Sequence, residues 1–379
     1  MHIVHLYKDA FPPVVGGVER MIWWVAKRQA KDGDSVSILV SEPDIPSLKN
    51  LPEVENVEGV TIIRMKSVAR PGGSPVCPGM TSRLRRLKPD LVHLHHPNPT
   101  SDIAYLLART KAPLVVTYHS DVVRQKLRYK AYKPIQQMML RSAAAIMPTS
   151  QRYLDSSEQL GKHKDRCHVV PLGVEYEGSD PEESMYTEKV ALRRKSWGKR
   201  PVVLFMGVLR YYKGLDYLIQ AATGVPDASF VIAGKGPERP YLERLAEELD
   251  VSDRIYFLGF VEDDELPEIH EASDIFCMPS HMRAEAFGLS MVEAMMSGLP
   301  CIACDLPTGV PEVNEHEKTG LIVPPSNPQA LSEAINKLLG DEELRRKLGH
   351  QAKMKAHEQY TADQMHARVK EVYEQVVKS

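Results

Sequence analysis

Short, almost wholly apolar runs alternate along this chain with longer stretches in which apolar residues recur at helical spacing. In the first half the runs fall at His2–Tyr7, Val36–Val40, Val60–Met65, Asp90–Leu94, Leu114–Tyr118, Ala143–Pro148 and Cys167–Pro171, and each predicts a strand. Helical spacing predicts helices over Val18–Ala30 and near Asp102–Thr110. The stretch Glu175–Arg200 is polar and without a clear period, which reads as a linker between domains plus a helix leading out of it. The alternation then restarts, with strands predicted at Val202–Met206, Ser229–Ala233, Ile255–Leu258, Ile275–Met278, Cys301–Cys304 and Leu321–Val323. Helices are predicted at Leu215–Ala222, Pro240–Leu249, Gly288–Ser297, Pro328–Leu339, Glu342–Glu358 and Thr361–Lys378.

Near-continuous apolar strands that alternate with helices imply parallel sheets covered on both faces, the α/β class. Two such series predict two Rossmann-like domains, residues 1–174 and 175–360. Ligands bind such sheets beyond the carboxyl ends of the strands, which places the expected site in a cleft between two facing domains. The length of 379 residues accords with two domains. With 43% hydrophobic and 26% charged residues, long disorder, collagen and coiled coil are excluded. No apolar run approaches the ~18–20 residues of a membrane span. The opening MHIVHLYKDAFPP lacks the layout of a secretion signal, so the chain is expected to be mature and cytoplasmic. Five cysteines, an odd number, argue against a disulfide framework. A net charge of −2 gives no whole-protein case for nucleic acid.

The charge is unevenly placed. Residues 83–141 hold twelve Lys and Arg against three acids, with one cluster at Arg83, Arg85, Arg86 and Lys88 and another at Arg124, Lys126, Arg128, Lys130 and Lys133. The stretch Glu238–Asp274 is mostly acidic. The basic residues read either as solvated helix faces or as a face for a phospholipid surface or a phosphate-bearing acceptor. Leu127, Tyr132, Ile135, Met138 and Met139 lie between the cations of Arg124–Arg141, which suits an interfacial helix or a core-facing one.

Four loops expected after strands carry glycine or a cation. They are Pro13–Glu19 with Gly16 and Gly17, Gly207–Gly214 with Arg210 and Lys213, Ala233–Pro237 with Gly234 and Gly236, and Glu285–Ser290. Glycine lets backbone approach a ligand, and a helix start favours an anion. Arg210 and Lys213 could clamp a diphosphate. The amides of Phe287, Gly288 and Leu289 would be free at a helix start. Glu293 would lie about 8 Å further along the axis at ~1.5 Å per residue, a distance suited to gripping ribose hydroxyls. Neither Gly-x-Gly-x-x-Gly after the first strand nor a Walker sequence is present, which argues against a nicotinamide dehydrogenase and a P-loop NTPase.

These motifs together resemble the retaining glycosyltransferases of family four, with the GT-B fold. The marker is two glutamates with seven residues between them, Glu285-Ala-Phe-Gly-Leu-Ser-Met-Val-Glu293. Ser280-His-Met-Arg-Ala, Glu293-Ala-Met-Met-Ser-Gly298-Leu-Pro300, Pro171-Leu-Gly173 and Thr319-Gly-Leu-Ile-Val-Pro324 also fit in order and spacing. The resemblance implies that Glu285 contacts the donor sugar, Glu293 binds the ribose, and Arg210 and Lys213 neutralise the leaving diphosphate. It further implies that Gly16 or Gly17 lies against the phosphates or the acceptor, and that His119 touches the donor sugar. Residues 361–379 would pack back on the first domain. With Gly234, Gly236, Phe287, Gly288, Leu289 and Ser290, the segment Phe260–Val261 completes the expected donor site, the last two near the base. Asp121 is expected beside the acceptor. Reaction with retention and without a metal or other cofactor follows from the resemblance; fixed cations and helix-start amides can stabilise the leaving phosphate.

Asp32-Gly33-Asp34 reads as a turn, and Cys301-Ile-Ala-Cys304 as a buried strand, since zinc would need further ligands. His93 and His95 should share one side of a strand with His96 at its end; His95 or His96 either contacts the acceptor or packs. Tyr211 and Tyr212 either cover the donor or pack. Leu306–Asn314 and His95-His96-Pro97-Asn98-Pro99 are similar to segments of mannosyltransferases that build bacterial polysaccharide on a lipid carrier. GDP-mannose is therefore the expected donor, with UDP-glucose or UDP-N-acetylglucosamine as the alternative. A polyprenyl-diphosphate-linked or glycan acceptor at the inner face of the plasma membrane would suit the basic first domain. A nucleotide-sugar 2-epimerase or a non-catalytic sensor are the rival readings.

Overall fold

The computed structural model describes residues 1–45, 48, 50–122, 126–176 and 184–378, the side chains of 72, 126–128 and 184–187 apart. Arg124 of the second basic cluster and residues 177–183 of the polar stretch lie outside the described residues, as do the side chains of Lys126, Leu127 and Arg128. The chain divides into two compact units, Met1–Gly173 with Ala362–Ser379, and Val174–Thr361.

The first unit holds seven strands: β1 (His2–Leu6), β2 (Ser35–Ser41), β3 (Val54–Val57), β4 (Val60–Met65), β5 (Leu91–His96), β6 (Leu114–Tyr118) and β7 (Ala143–Pro148). Their order is β3-β4-β2-β1-β5-β6-β7. The interior strands are parallel and buried, as their apolar runs require. The edge departs from the all-parallel expectation, because β3 pairs antiparallel with β4. The two-residue turn Glu58-Gly59 has positive φ at both positions, 47° and 83°, the geometry that closes a tight hairpin. β3 is half-exposed and carries too few apolar residues to be read as a core strand. Cys167–Pro171, predicted as a strand, instead runs beside β7 through bonds from the His168 and Val170 amides to Ile146 and Pro148. Pro148 has no N–H to return, so the ladder stops there.

Helices Gly17–Lys31, Gly79–Leu87, Pro99–Ala108, Lys126–Ser142, Gln151–Ser156 and Ala362–Lys378 surround this sheet. Helix Lys126–Ser142 is core-facing on one side: Gln136, Met139 and Leu140 are fully buried, while Lys130, Lys133, Met138 and Arg141 face outward. Among the described residues no helix is long and apolar enough to cross a membrane.

The second unit holds β8 (Val202–Met206), β9 (Ser229–Ala233), β10 (Ile255–Gly259), β11 (Ile275–Met278), β12 (Cys301–Cys304) and β13 (Gly320–Val323), in the order β10-β9-β8-β11-β12-β13. All neighbours are parallel. The polar stretch supplies helix Ser184–Ser196, and Leu289–Met296, Pro328–Gly340 and Glu342–Gln359 lie close to their predicted bounds.

Candidate active site

The loops after β8 and β11 leave the sheet where its strand order reverses, the position at which open parallel sheets bind ligands. Gly214 closes the first loop at φ +67°, and a Cβ there would stand 2.2 Å from the Pro279 carbonyl oxygen. Only glycine lets these two backbones meet. The His281 amide donates to the Tyr212 carbonyl at 3.1 Å and pins the contact.

This contact brings Lys213 Nζ to 2.6 Å from Glu285 Oε2, which also accepts from Ser280 Oγ at 3.0 Å. The two charged side chains are only 11% and 10% exposed. Burial opposes the Lys213 charge, but the Glu285 carboxylate and Tyr212 together outweigh it and hold the ammonium above its ordinary value. Glu285 Oε1 meets no hydrogen-bond partner among the described residues. Arg210 stands exposed at the head of the same loop and makes no ion pair among the described residues. Tyr211 and Tyr212 pack edge to face against each other and are half-buried, with Lys213 Nζ 5.5 Å from the Tyr212 ring centre.

Helix Leu289–Met296 begins at Gly288, with φ +90°, where a Cβ would stand 2.8 Å from the Met278 methyl carbon. The amides of Met291 and Val292 both turn to the Gly288 carbonyl, so those of Leu289 and Ser290 have no acceptor within the helix. Glu293 is half-buried on the next turn. The Phe287 ring packs against Tyr360, leaving only its backbone toward the loop.

Gly234 and Gly236 lie where two loops meet. A Cβ on Gly234 would stand 1.9 Å from the Gly207 carbonyl oxygen, and one on Gly236 2.2 Å from that of Leu209. The space a side chain would fill is taken by the β8 loop, so these glycines seat one loop on another. Beyond them, Lys235 Nζ lies 5.5 Å from the ring centre of the exposed Phe260, with Val261 half-buried alongside.

The Leu306–Asn314 segment is a buttress. Asn314 is fully buried; its Nδ2 donates to the Cys301 and Leu321 carbonyls, both at 3.1 Å, and its Oδ1 accepts from Thr319. The Gly309 amide donates to Ala286 and Arg283 to the Pro307 carbonyl, which ties this segment to the Glu285 loop. Cys301 and Cys304 are buried on β12, as the spacing suggested.

Two family models match the chain: Glycosyltransferase Family 4 over residues 15–177 and Glycosyl transferases group 1 over residues 189–355. The O-antigen chain mannosyltransferase C of Escherichia coli is 32% identical over 369 residues, 96% of each chain. The chain belongs to the family 4 glycosyltransferases. The D-rhamnosyltransferase WbpZ of Pseudomonas aeruginosa is also 32% identical, over 96% of this glycosyltransferase and 93% of that protein. Among solved structures, sucrose-phosphate synthase from Thermosynechococcus elongatus superposes with a TM-score of 0.80 at 21% identity, covering 99% and 98% of the two chains. Anabaena Alr3699/HepE, solved with UDP-glucose, gives 0.80 at 22% identity over 99% and 100%. The fold is therefore the GT-B fold of these enzymes.

In the first unit of this glycosyltransferase, the loop after β1 brings Gly16 against Glu19: a Cβ on Gly16 would stand 2.2 Å from Glu19 Oε2. Glu19 is buried, which raises its pKa, with Lys8 3.7 Å away. Gly17, the first residue of the following helix, is exposed. His119 follows β6 and is buried, its Nδ1 without a partner among the described residues. Burial lowers its pKa to about 3. His95 and His96 do not offer an acceptor contact as expected, because both side chains are fully buried. His95 lies between His5 and His119, and His96 Nε2 faces the Gln136 amide nitrogen at 2.9 Å. Asp121 Oδ1 accepts from Tyr118 at 2.8 Å and Ser157 at 2.7 Å, which holds the loop after β6 in place. Asp32-Gly33-Asp34 is a turn, tied by Asp32 Oδ2 to Lys370 at 2.7 Å.

The sequence assigns no individual role to Ser280, Glu19, His5, Gln29 or Tyr373. His5 had a visible signal, since it stands in a strand next to the His93-x-His95 strand. Gln29 and Tyr373 had none, because their roles depend on two helices far apart in sequence packing on one sheet face.

Proposed function

We propose that this glycosyltransferase moves a mannosyl group from GDP-mannose to a hydroxyl of a glycan or polyprenyl-diphosphate-linked acceptor in polysaccharide assembly, with retention and without a metal ion. The observation that carries this reading is the Lys213–Glu285 contact beside the start of helix Leu289–Met296. It gathers a cation, a carboxylate with one open oxygen and two open amides. In this reading Glu285 Oε1 accepts from a sugar hydroxyl and Glu293 from the ribose. Arg210, Lys213 and the Leu289 and Ser290 amides face the diphosphate, and His119 meets a sugar hydroxyl. As the bond from the anomeric carbon to the diphosphate breaks, negative charge grows on the phosphate, where fixed cations and amides stabilise it. The acceptor oxygen bonds to that carbon on the face just vacated, and its proton passes to the released phosphate oxygen.

Mannose and a polysaccharide role are supported by the 32% identity to an O-antigen chain mannosyltransferase. The exposed Arg85, Arg86, Lys88, Lys130 and Lys133, with Leu107 and Met138 also exposed, support peripheral contact with an anionic membrane carrying the acceptor.

Thermal unfolding with GDP, UDP or ADP at equal millimolar concentration tests the donor. GDP alone should stabilise, by ~2.7 kcal/mol at a hundredfold excess over its dissociation constant. Stabilisation by UDP alone overturns the mannose donor, and none by any nucleotide overturns the site. Glu285→Gln should lose turnover yet keep the GDP shift, and transfer should persist in a chelator; retained turnover, or loss in chelator, overturns the corresponding part.

A further inference from the structure

The register of the first sheet gathers histidines on one face. His5 pairs with His93, and His95 with Thr117. Paired residues and residues two apart share a face, so His5, His93, His95 and Thr117 stand together, with His119 next in line. Gln29 from helix Gly17–Lys31 and Tyr373 from helix Ala362–Lys378 cover them, and all of these side chains are buried.

The bonds form one directed chain. Gln29 Nε2 donates to the Tyr373 hydroxyl at 3.3 Å, which turns Gln29 Oε1 toward His5 Nε2 at 2.8 Å. His5 must then carry its proton on Nε2, because a neutral imidazole has one N–H and one bare nitrogen. His5 Nδ1 accordingly accepts from His95 Nε2 at 3.0 Å, and His95 Nδ1 accepts from His119 Nε2 at 3.3 Å. A branch runs from the Tyr373 hydroxyl to His93 Nδ1 at 2.6 Å and from His93 Nε2 to Thr117 at 2.7 Å. Burial lowers the pKa of all four rings, to about 4 for His5, so each is neutral near pH 7.

The chain ends at His119 Nδ1, buried and unpartnered among the described residues. The opposite polarity would need Gln29 turned over and would leave an orphaned N–H there, which is costlier than a bare lone pair. The ligand nitrogens of His5, His93 and His95 lie within 4.8 Å of one another, close enough for a metal. Each already has a hydrogen-bond partner, so an ion would have to break the chain.

We propose that His95, His5 and Gln29 are positioning residues that hold His119 in its Nε2–H form, so that its bare Nδ1 accepts a hydrogen bond from a hydroxyl of the donor sugar. The second half of this inference rests on His119 being a sugar contact. The chain explains why three fully buried polar side chains accompany one residue at a strand end: neutral His119 alone could present either a donor or an acceptor, and the chain selects the acceptor.

Nitrogen-15 labelling of the histidines in the full chain tests this. The spectrum near pH 7 should show His119 protonated on Nε2 and bare on Nδ1, and GDP-mannose, but not GDP, should shift Nδ1. A proton on Nδ1, or a cationic ring, overturns the chain. Gln29→Met should mix the His119 tautomers and lower kcat/KM about fivefold, the weight of one neutral hydrogen bond. Tyr373→Phe, which removes the hydroxyl that turns Gln29, should also mix the His119 tautomers. A folded Gln29→Met protein with an unchanged His119 spectrum also overturns the chain. If that variant does not fold, the wild-type spectrum decides alone. Should the spectrum be as expected while GDP shifts Nδ1 as much as GDP-mannose does, or His119→Ala leave kcat and KM unchanged, the chain stands and the sugar contact falls.

Discussion

Lys213→Met removes one member of a buried pair whose charged atoms lie 2.6 Å apart. At an effective dielectric of about 20 their attraction is about 6 kcal/mol. Withdrawing both ions from water costs several kcal/mol each, so most of that attraction is offset while the pair is intact. Removing either partner leaves the other's cost unanswered. Lys213→Met and Glu285→Gln should therefore each destabilise the second unit by about 3–5 kcal/mol. The double variant should lose about 3 kcal/mol less than the sum of the two. Trp197 is the one tryptophan of the second unit, the others being Trp23 and Trp24. Urea unfolding followed by its fluorescence in a Trp23→Phe/Trp24→Phe background reports that unit. The Lys213 pKa is raised in the folded state, so its contribution is whole below the unfolded value of 10.5 and disappears as pH climbs through the folded value. The gap between the parent and Glu285→Gln should narrow as pH rises from 7 toward 10.5, because the variant's unpaired Lys213 is left with burial alone and gives up its proton below that value. Single losses that add to within about 0.5 kcal/mol in the double variant would refute the pairing.

Gly234→Ala should cost at least about 3 kcal/mol, since its methyl group would meet a carbonyl oxygen at φ +140°. Gly340→Ala, where a methyl group meets nothing within 4 Å, should be neutral or stabilise by about 0.4–1 kcal/mol; equal melting shifts for the two would contradict the loop contact. Asn314→Leu deletes three hydrogen bonds and should cost about 3 kcal/mol in chemical unfolding, and an unchanged midpoint would rule out the buttress. The buried histidines have folded pKa values below the unfolded 6.5, so the unfolded chain binds more protons between the two values and stability falls as pH drops below 6.5. Each ring contributes up to about 1.4 kcal/mol per pH unit, and a flat urea midpoint from pH 7 to pH 5 would contradict their neutral burial.

The interior strands could be read from the chain because burial on both faces leaves only apolar runs, as in Leu114–Tyr118 and Val202–Met206. β3 could not, since an exposed edge strand needs few apolar residues. Lys213 and Glu285 stand out in the sequence through the Gly207–Gly214 loop and the spacing of Glu285 and Glu293, which carry the family resemblance. The loop-on-loop packing of Gly234 and Gly236 is not legible in the sequence, because glycine serves ligand approach and backbone packing alike and only the position of the Gly207 and Leu209 carbonyls shows the packing. His95 and His96 are left by the sequence between an acceptor contact and packing, because a histidine at a strand end suits either. Their burial follows from Gln29 and Tyr373 on one face and Gln136 on the other, which no local pattern reveals.

The chain enters and leaves the second unit at adjacent points: the Val174 amide donates to the Tyr360 carbonyl at 2.8 Å, and Val174 bridges Thr361. Residues 362–378 then return to the first unit, where Tyr373 closes over His93. During synthesis the ribosome therefore delivers the first sheet complete in its strands but without that cover, and builds the entire second unit before the cover emerges. The first unit to begin is the last to finish, and a truncated nascent chain leaves His93 without its Tyr373 hydroxyl.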